Sequence, residues 1–293
     1  MRYAVRHLTR YTYGTPVDIG VHLLRLTPQD APGGQRVARA DILITPRPTT
    51  VHAYRDHFGN EVRHVAIETV HDSFAAVLDA EVAVPRRAAA VADGPPWETV
   101  RELMQGDGFP APPEVAEYRY ESPLVSLVAP ATAFAARSFP AGRPVVTALR
   151  HLTGRIYRNF SYVPGVTDIK TDVRKVITER RGVCQDFAHL MIAGLRGLGL
   201  PARYVSGYIR TWRADDAGEM RGADASHAWV SAWCGPEIGW LGFDPTNDLV
   251  VDDEHITVAV GRDFSDVAPL RGVILGGGAH GLEVAVTVTP LGE

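Results

Sequence analysis

The sequence predicts an α+β fold in which a β-rich part precedes a part that contains both helices and strands. About the first ninety of the 293 residues fall into short, partly alternating apolar runs, which favours an antiparallel, sandwich-like β domain. From Pro144 the apolar spacing becomes helical, and β-like runs return after Pro201. Helices followed by strands within one segment indicate a domain in which helices pack on an antiparallel sheet.

The predicted strands of the first part are rich in valine, isoleucine, leucine and tyrosine, and turn-forming residues separate them. His57 beside Asp56 lies in one of these turns, where a polar hairpin tip accounts for both residues without a catalytic role. The strands are expected at residues 2–13, 17–26, 37–45, 61–69 and 75–84.

A proline-rich stretch of weak periodicity, residues 85–144, separates the two parts. It is long for a loop within one domain, so we expect the domain boundary there. The expected organisation is an N-terminal β domain at residues 1–90, a connector with some helix at 91–143, and a core at 144–293 that includes the C-terminal strands.

Three helices are predicted at the start of the core. The first opens at Pro144, the second follows Asp172 as its N-cap, and the third begins at or just before Cys184 and ends at Gly199 and Pro201. Strands are then expected at residues 203–210, 227–234, 239–243, 256–260 and 282–289.

Composition and charge limit the class of protein. A chain with 45% hydrophobic and 22% charged residues folds around an ordinary core, and a formal net charge of −4 gives no reason to expect nucleic acid or an anionic membrane as partner. We recognise no secretory signal and no membrane-spanning apolar run, and two cysteines make no disulfide framework. A cytoplasmic, reduced protein is therefore expected, with its oligomeric state undetermined.

Cys184 lies in residues 181–187 (Arg-Gly-Val-Cys-Gln-Asp-Phe), where a loop turns into a helix. A lone cysteine is more often a small buried hydrophobe than a nucleophile. At a helix start, however, the unpaired backbone N–H groups and the positive helix end favour the thiolate. The same N–H groups can stabilise the oxyanion that forms when a carbonyl is attacked.

A thiol nucleophile needs a base, and the base needs an orienting group. His227 opens a predicted strand, and Asp244 ends the next one, just before Pro245. The two residues suit neighbouring antiparallel strands that bring both side chains to the same sheet edge. Such an aspartate would accept from one imidazole nitrogen and leave the other facing the thiol.

Four blocks of the second part resemble, in order and spacing, the transglutaminase-like core of bacterial proteins that are often proposed to be cysteine proteases. The resemblance implies a papain-like core in which Cys184 is the nucleophile, His227 the base and Asp244 its orienting residue. The N-terminal strands also resemble the β domain that precedes this core in the family, notably at residues 11–13, 24–28 and 56–60. The four core blocks are residues 182–188, 200–208, 226–229 and 243–246.

Three further residues are candidates for cleft or oxyanion support: Tyr162, Gln185 and Asp186. Tyr162 either borders the cleft or packs in the core, and Gln185 directly follows the nucleophile. Asp186 either helps to arrange the active site or only stabilises the first turn of its helix as an acidic residue. Residues 211–225, which lead into His227, are equally suited to a cleft wall and to an ordinary solvated loop.

The sequence therefore predicts a cysteine-dependent enzyme that acts on amide bonds through a thioester. Hydrolysis of a peptide, protein or small amide substrate, in which the acyl group passes to water, is the preferred reaction. Transfer to an amine, as by a protein-glutamine transglutaminase, is the close alternative, and a binding module that only retains the fold is the third. No metal or organic cofactor is expected, since the thiol and imidazole supply the required groups.

Overall fold

The computed structural model describes residues 1–31, 34–86, 91–105, 112–210, 221–222 and 225–292, and it has the predicted α+β fold. The helices are α1 (Trp97–Leu103), α2 (Pro113–Ala116), α3 (Ala129–Ala136), α4 (Val145–Asn159), α5 (Val173–Glu179), α6 (Cys184–Gly197) and α7 (Phe264–Val267). The strands are β1 (Arg2–Leu24), β2 (Arg36–Thr45), β3 (Thr50–Arg55), β4 (Glu61–Ile67), β5 (His71–Ala83), β6 (Ser161–Tyr162), β7 (Arg181–Gly182), β8 (Ala202–Ile209), β9 (His227–Trp233), β10 (Trp240–Asp244), β11 (Leu249–Val250), β12 (His255–Gly261), β13 (Leu270–Gly276) and β14 (His280–Pro290). Over these ranges, no helix has both the length and the apolar character that crossing a bilayer requires.

The N-terminal part is a seven-stranded antiparallel sheet curled around the long strand β1. The first half of β1 pairs with β5 and β14, and its second half pairs with β4 and β13. The sequence predicts two strands and a turn here, but the chain stays extended through Gly14 because its N–H donates to the Ala279 carbonyl at 2.7 Å. Strand β3, at one sheet edge and exposed throughout, is absent from the predicted strands.

The last two strands belong to this N-terminal sheet. The sequence assigns them to the core at residues 144–293, whereas the structure pairs β13 and β14 with β1. Val286 and Val288 of β14 are buried in the same hydrophobic core as the N-terminal strands. Apolar alternation predicts β14 as a strand but does not identify its partner, and β13 is absent from the predicted strands. The predicted domain boundaries themselves remain a prediction.

The second sheet has five strands in the order β11-β10-β9-β8-β12, and helix α6 packs on it. The predicted connector is also part of the packed core. Its helix α3 lies against α6, and Ala131 and Ala135 of α3 are buried at that contact. The helix that carries the candidate nucleophile is therefore held between a sheet and a helix.

The N-terminal part covers the outer edge of the second sheet. Strand β12 pairs with β8 on one side only, and side-chain amides meet its other edge. Gln35 exchanges two hydrogen bonds with the backbone of Thr257 (2.8 and 2.9 Å), and Asn60 does the same with Val260 (2.8 Å each). These bonds satisfy backbone groups that an edge strand would otherwise leave unpaired.

Candidate active site

Cys184 is the first residue of α6, and its side chain is 9% exposed. The predicted loop-to-helix transition is therefore present. The Asp186 carboxylate fixes this helix start, because it accepts hydrogen bonds from the Val183 N–H and the Thr167 hydroxyl, both at 2.7 Å. Burial raises the pKa of Asp186, and these two hydrogen bonds partly offset the effect.

His227 and Asp244 come together as the strand pattern predicts. His227 opens β9 and Asp244 closes β10, and the two strands are antiparallel neighbours, so the residues share one sheet edge. The His227 Nε2 atom lies 2.9 Å from Asp244 Oδ2, and both side chains are fully buried. The carboxylate therefore orients the ring and fixes a proton on Nε2.

The second ring nitrogen is the one available to the thiol. His227 Nδ1 is buried and is met by no nitrogen or oxygen of the described residues, while the Cys184 sulfur interacts with the ring. This approach is looser than a regular hydrogen bond, as is common before a substrate binds. The Cys184 thiol, the His227 imidazole and the Asp244 carboxylate therefore lie in that order in space.

The charges of these groups are strongly coupled. Burial acts to lower the pKa of His227, but the Asp244 carboxylate, its hydrogen bond and the neighbouring Cys184 outweigh it and raise the pKa to about 10. Burial acts to raise the pKa of Asp244, but His227 and the hydrogen bond from His255 hold it well below its usual range. At neutral pH the site therefore contains an imidazolium beside a carboxylate.

Sequence reasoning missed two residues that contact Asp244. The Asn247 side-chain amide donates to Asp244 Oδ2 at 2.8 Å, and His255 Nε2 lies 3.4 Å from the same oxygen. Asn247 follows Asp244 within an Asx-type turn, a local signal that could have identified it. His255 opens β12, which is separated from β10 by two strands, β9 and β8, in the sheet order, so no spacing along the chain could have found it.

A cavity of about 310 Å³ adjoins the thiol and the imidazole. Of the three candidates for cleft support, Tyr162 and Gln185 line this cavity, whereas Asp186 does not line it and bonds to the backbone at the start of α6. The Gln185 amide donates to the Ile169 carbonyl at 3.3 Å. The other lining residues are mainly aromatic or small: Val183, Tyr204, Ser206, Gly222, Ala225, Ser226, Ala228 and Phe264.

A short piece of the segment before His227 closes over the imidazole. Gly222 has φ +79°, and a side chain there would come within 2.9 Å of His227 Nδ1 and 3.3 Å of the Tyr162 hydroxyl. Asn247 anchors this piece, since its Oδ1 accepts from the Arg221 N–H at 3.0 Å. The rest of the predicted cleft wall, residues 211–220 and 223–224, lies outside the described residues.

Both parts of the chain are similar to known proteins. Residues 3–83 match the bacterial transglutaminase-like N-terminal region, and residues 133–245 match the core of the transglutaminase-like superfamily. An uncharacterised protein of Mycobacterium tuberculosis is 38% identical over 308 positions, which cover 99% of this chain and 93% of the relative. A protein-glutamine gamma-glutamyltransferase of Pseudomonas aeruginosa is 38% identical over 90 positions, which cover 28% of this chain and 11% of that protein.

The fold has a counterpart among solved structures. A Cytophaga hutchinsonii protein proposed to be a cysteine protease superposes with a TM-score of 0.76 at 22% identity, over 100% of this chain and 91% of that chain. The chain belongs to the transglutaminase-like superfamily and carries the N-terminal β region of its bacterial members.

Proposed function

We propose that this protein is a cysteine-dependent acyl-transfer enzyme that acts on amide bonds, with Cys184, His227 and Asp244 as its catalytic triad. The observation that carries the proposal is the buried His227–Asp244 pair at 2.9 Å beside a cysteine at a helix start. Those elements are far apart in sequence, and a module without catalysis has no need to bury a charged imidazole next to a thiol.

The proposed reaction has two halves. The Cys184 thiolate attacks the amide carbonyl, and backbone N–H groups at the start of α6 stabilise the oxyanion. The C–N bond then breaks as His227 Nδ1 gives its proton to the leaving amine, which leaves a thioester on Cys184. In the second half His227 takes a proton from the incoming nucleophile, the nucleophile adds to the thioester, and the thiolate departs.

Water is the preferred acceptor, which makes the enzyme a peptidase or amidase. Amine transfer is the second candidate, and the relative described as a protein-glutamine gamma-glutamyltransferase favours it. Both outcomes share the same thioester, so the triad does not distinguish them.

The triad is tested by the rate at which iodoacetamide labels Cys184. The matched comparison is His227→Gln, because it removes the imidazole and leaves Cys184 itself unchanged. We expect the substitution to slow labelling of Cys184 at pH 7 by about tenfold or more, since the thiolate loses its cationic partner. Cys234, which is fully buried, serves as the internal control. Equal labelling of Cys184 in both proteins would contradict the proposal.

Whether water or an amine accepts the acyl group is tested by incubating the protein with a library of glutamine-containing peptides and a small primary amine. The products are analysed by mass spectrometry. Cleaved or deamidated products without amine incorporation support hydrolysis, and incorporation without cleavage supports transfer. Cys184→Ala is the control, and either product formed equally by that variant would exclude the proposed chemistry.

A further inference from the structure

The N-terminal sheet contains a second cavity, of about 200 Å³, where β1 meets β13 and β14. It shares no lining residue with the cavity beside Cys184. Apart from Gly272, its walls are formed by Tyr11, Tyr13, His22, Leu270, Ile274 and His280.

His22 is the unusual residue of this cavity. It is 3% exposed, and its ring stacks on Phe74 with centroids 4.2 Å apart. Neither ring nitrogen has a hydrogen-bond partner among the described residues. A buried polar group without a partner destabilises a fold, and an apolar side chain in the same place would not.

Two glycines make room for this imidazole. A side chain at Gly20 would come within 2.8 Å of His22 Nε2, and one at Gly272, which pairs with His22 across the sheet, would collide with Nδ1. Glycine weakens the interior of a strand and often marks a place where a ligand approaches closely. The sheet thus keeps two unfavourable residues around an unpartnered histidine.

A second imidazole lies beside the cavity. His71 is 7% exposed, its ring is 5.8 Å from that of Tyr13, and its Nδ1 donates to the Thr69 carbonyl at 2.8 Å. Its Nε2 has no partner among the described residues and, in the neutral ring, is an acceptor. His71 is not itself a lining residue of the cavity, but its ring packs on Tyr13, which is.

The lining determines the chemistry of the ligand. None of the lining side chains is an acid, a lysine or an arginine, and tyrosine rings and aliphatic groups form most of the wall. Burial and the nearby His71 lower the pKa of His22 to about 4, so at pH 7 this ring offers one donor and one acceptor. A dry cavity of roughly 150 Å³ binds benzene, so this one accommodates a single ring with a small substituent.

We propose that this cavity is a binding site for a small, uncharged, planar ligand: one aromatic ring that carries a group able both to donate and to accept a hydrogen bond, as a carboxamide does. The ring packs between the tyrosines and the aliphatic wall, and the polar group meets His22. A carboxylate lacks the donor and would bring a charge into a site without a counterion. This site is independent of the proposed triad.

The probe is benzamide, titrated into the ¹⁵N-labelled full-length protein, with benzoate and toluene as comparison compounds. We expect benzamide to shift the backbone amide signals of Gly20, Gly272 and Ile274, and to bind about tenfold more tightly than either comparison compound, the factor that one net hydrogen bond supplies. Benzoate or toluene binding as tightly as benzamide, or shifts that map elsewhere, would overturn the proposal.

Two variants complete the test. His22→Phe keeps the ring and its stacking on Phe74 but removes both nitrogens, and it should weaken benzamide binding by about tenfold while toluene binds at least as well. His52→Phe, on the exposed strand β3, should leave binding unchanged. If His22→Phe does not fold, the imidazole ¹⁵N signals of the wild type decide, because benzamide must shift those of His22. Unchanged His22 signals, or benzamide binding to His22→Phe as tight as to the wild type, would contradict the proposed binding site.

Discussion

At the residue scale, the Asp244 carboxylate organises the candidate active site. Oδ2 interacts with His227, His255 and the Asn247 amide, and Oδ1 accepts from the backbone N–H groups of Thr246 and Asn247. Each of these donors favours the ionised form, so the carboxylate stays charged although it is fully buried. The ring of His227 is consequently held with Nδ1 toward the cavity.

The pKa of His227 is predicted to depend more strongly on Asp244 than on Cys184. In the wild type it should titrate near 10, and Asp244→Asn should lower this pKa more than Cys184→Ala does, because Asp244 raises it more strongly. NMR titration of the imidazole signals measures all three values. A larger fall in Cys184→Ala would contradict the assignment of Asp244 as the main partner.

The raised pKa of His227 also makes the free energy of unfolding depend on pH. The pKa of His227 in the folded protein is raised from 6.5 to about 10, so the protonated imidazole stabilises the fold fully below pH 6.5. This stabilisation is lost as the pH rises from 6.5 to about 10. The pH dependence of unfolding should therefore be flatter in this range for His227→Gln than for the wild type.

His255 is predicted to be a positioning residue for Asp244. His255→Leu removes one of the hydrogen bonds that lower the pKa of Asp244, so turnover should fall by about ten- to a hundredfold and the acid limb of the pH–activity profile should move to higher pH. His255→Gln still presents a donor and should retain most of the activity. Equal losses in both variants, with no change in the pH profile, would indicate only a packing role.

The triad candidates could be identified from sequence because each lies at the boundary of a regular element. Cys184 begins a helix, His227 begins a strand and Asp244 ends one, and such boundaries show in short-range apolar patterns. His255 reaches Asp244 only through the curvature of a sheet whose strand order is set by non-local pairing. Its contribution was therefore invisible in the sequence.

At the element scale, the position of α6 depends on a helix that the sequence describes only as part of a connector. A Cβ at Gly194 of α6 would lie 2.8 Å from the Ala135 Cβ of α3 and 3.1 Å from the Ala131 carbonyl. The two helices therefore pack with little space between their backbones, and this contact fixes the helix that starts at Cys184.

Gly194→Ala is predicted to destabilise the fold by about 1–3 kcal/mol through overpacking, although alanine has the higher helix propensity. Ala135→Gly removes the opposing methyl group and should restore part of the loss. Urea unfolding of both single variants and the double variant measures the coupling free energy, which should be about 1 kcal/mol or more in favour of the double variant. Additive effects would show that the two helices do not constrain each other.

At the scale of the whole molecule, the N-terminal sheet supports the sheet that carries the active site. Asn60 and Gln35 pair with the free edge of β12, and the first residue of β12 is His255, which contacts Asp244. The hydrophobic core runs continuously from the first sheet to the second. The N-terminal part thus stabilises the strand from which one of the Asp244 contacts comes.

Asn60→Ala is predicted to lower the free energy of unfolding by about 2–4 kcal/mol, because it leaves a buried N–H and a buried carbonyl of Val260 without partners. Asn159→Ala is the matched control, since that exposed amide donates to a carbonyl of its own helix, and its loss should cost at most about 0.5 kcal/mol. Chemical denaturation measures both. Similar losses in the two variants would argue against edge pairing as the cause.

The sequence by itself determined the α+β class, most of the strands, the three helices at the start of the core, the family, and the elements that carry Cys184, His227 and Asp244, because local periodicity and short motifs encode these features. The tertiary structure alone decided that β13 and β14 complete the N-terminal sheet, that α3 packs on α6, and that His255 contacts Asp244. The partners in these contacts are selected by the burial and hydrogen bonding of the assembled chain rather than by any local pattern.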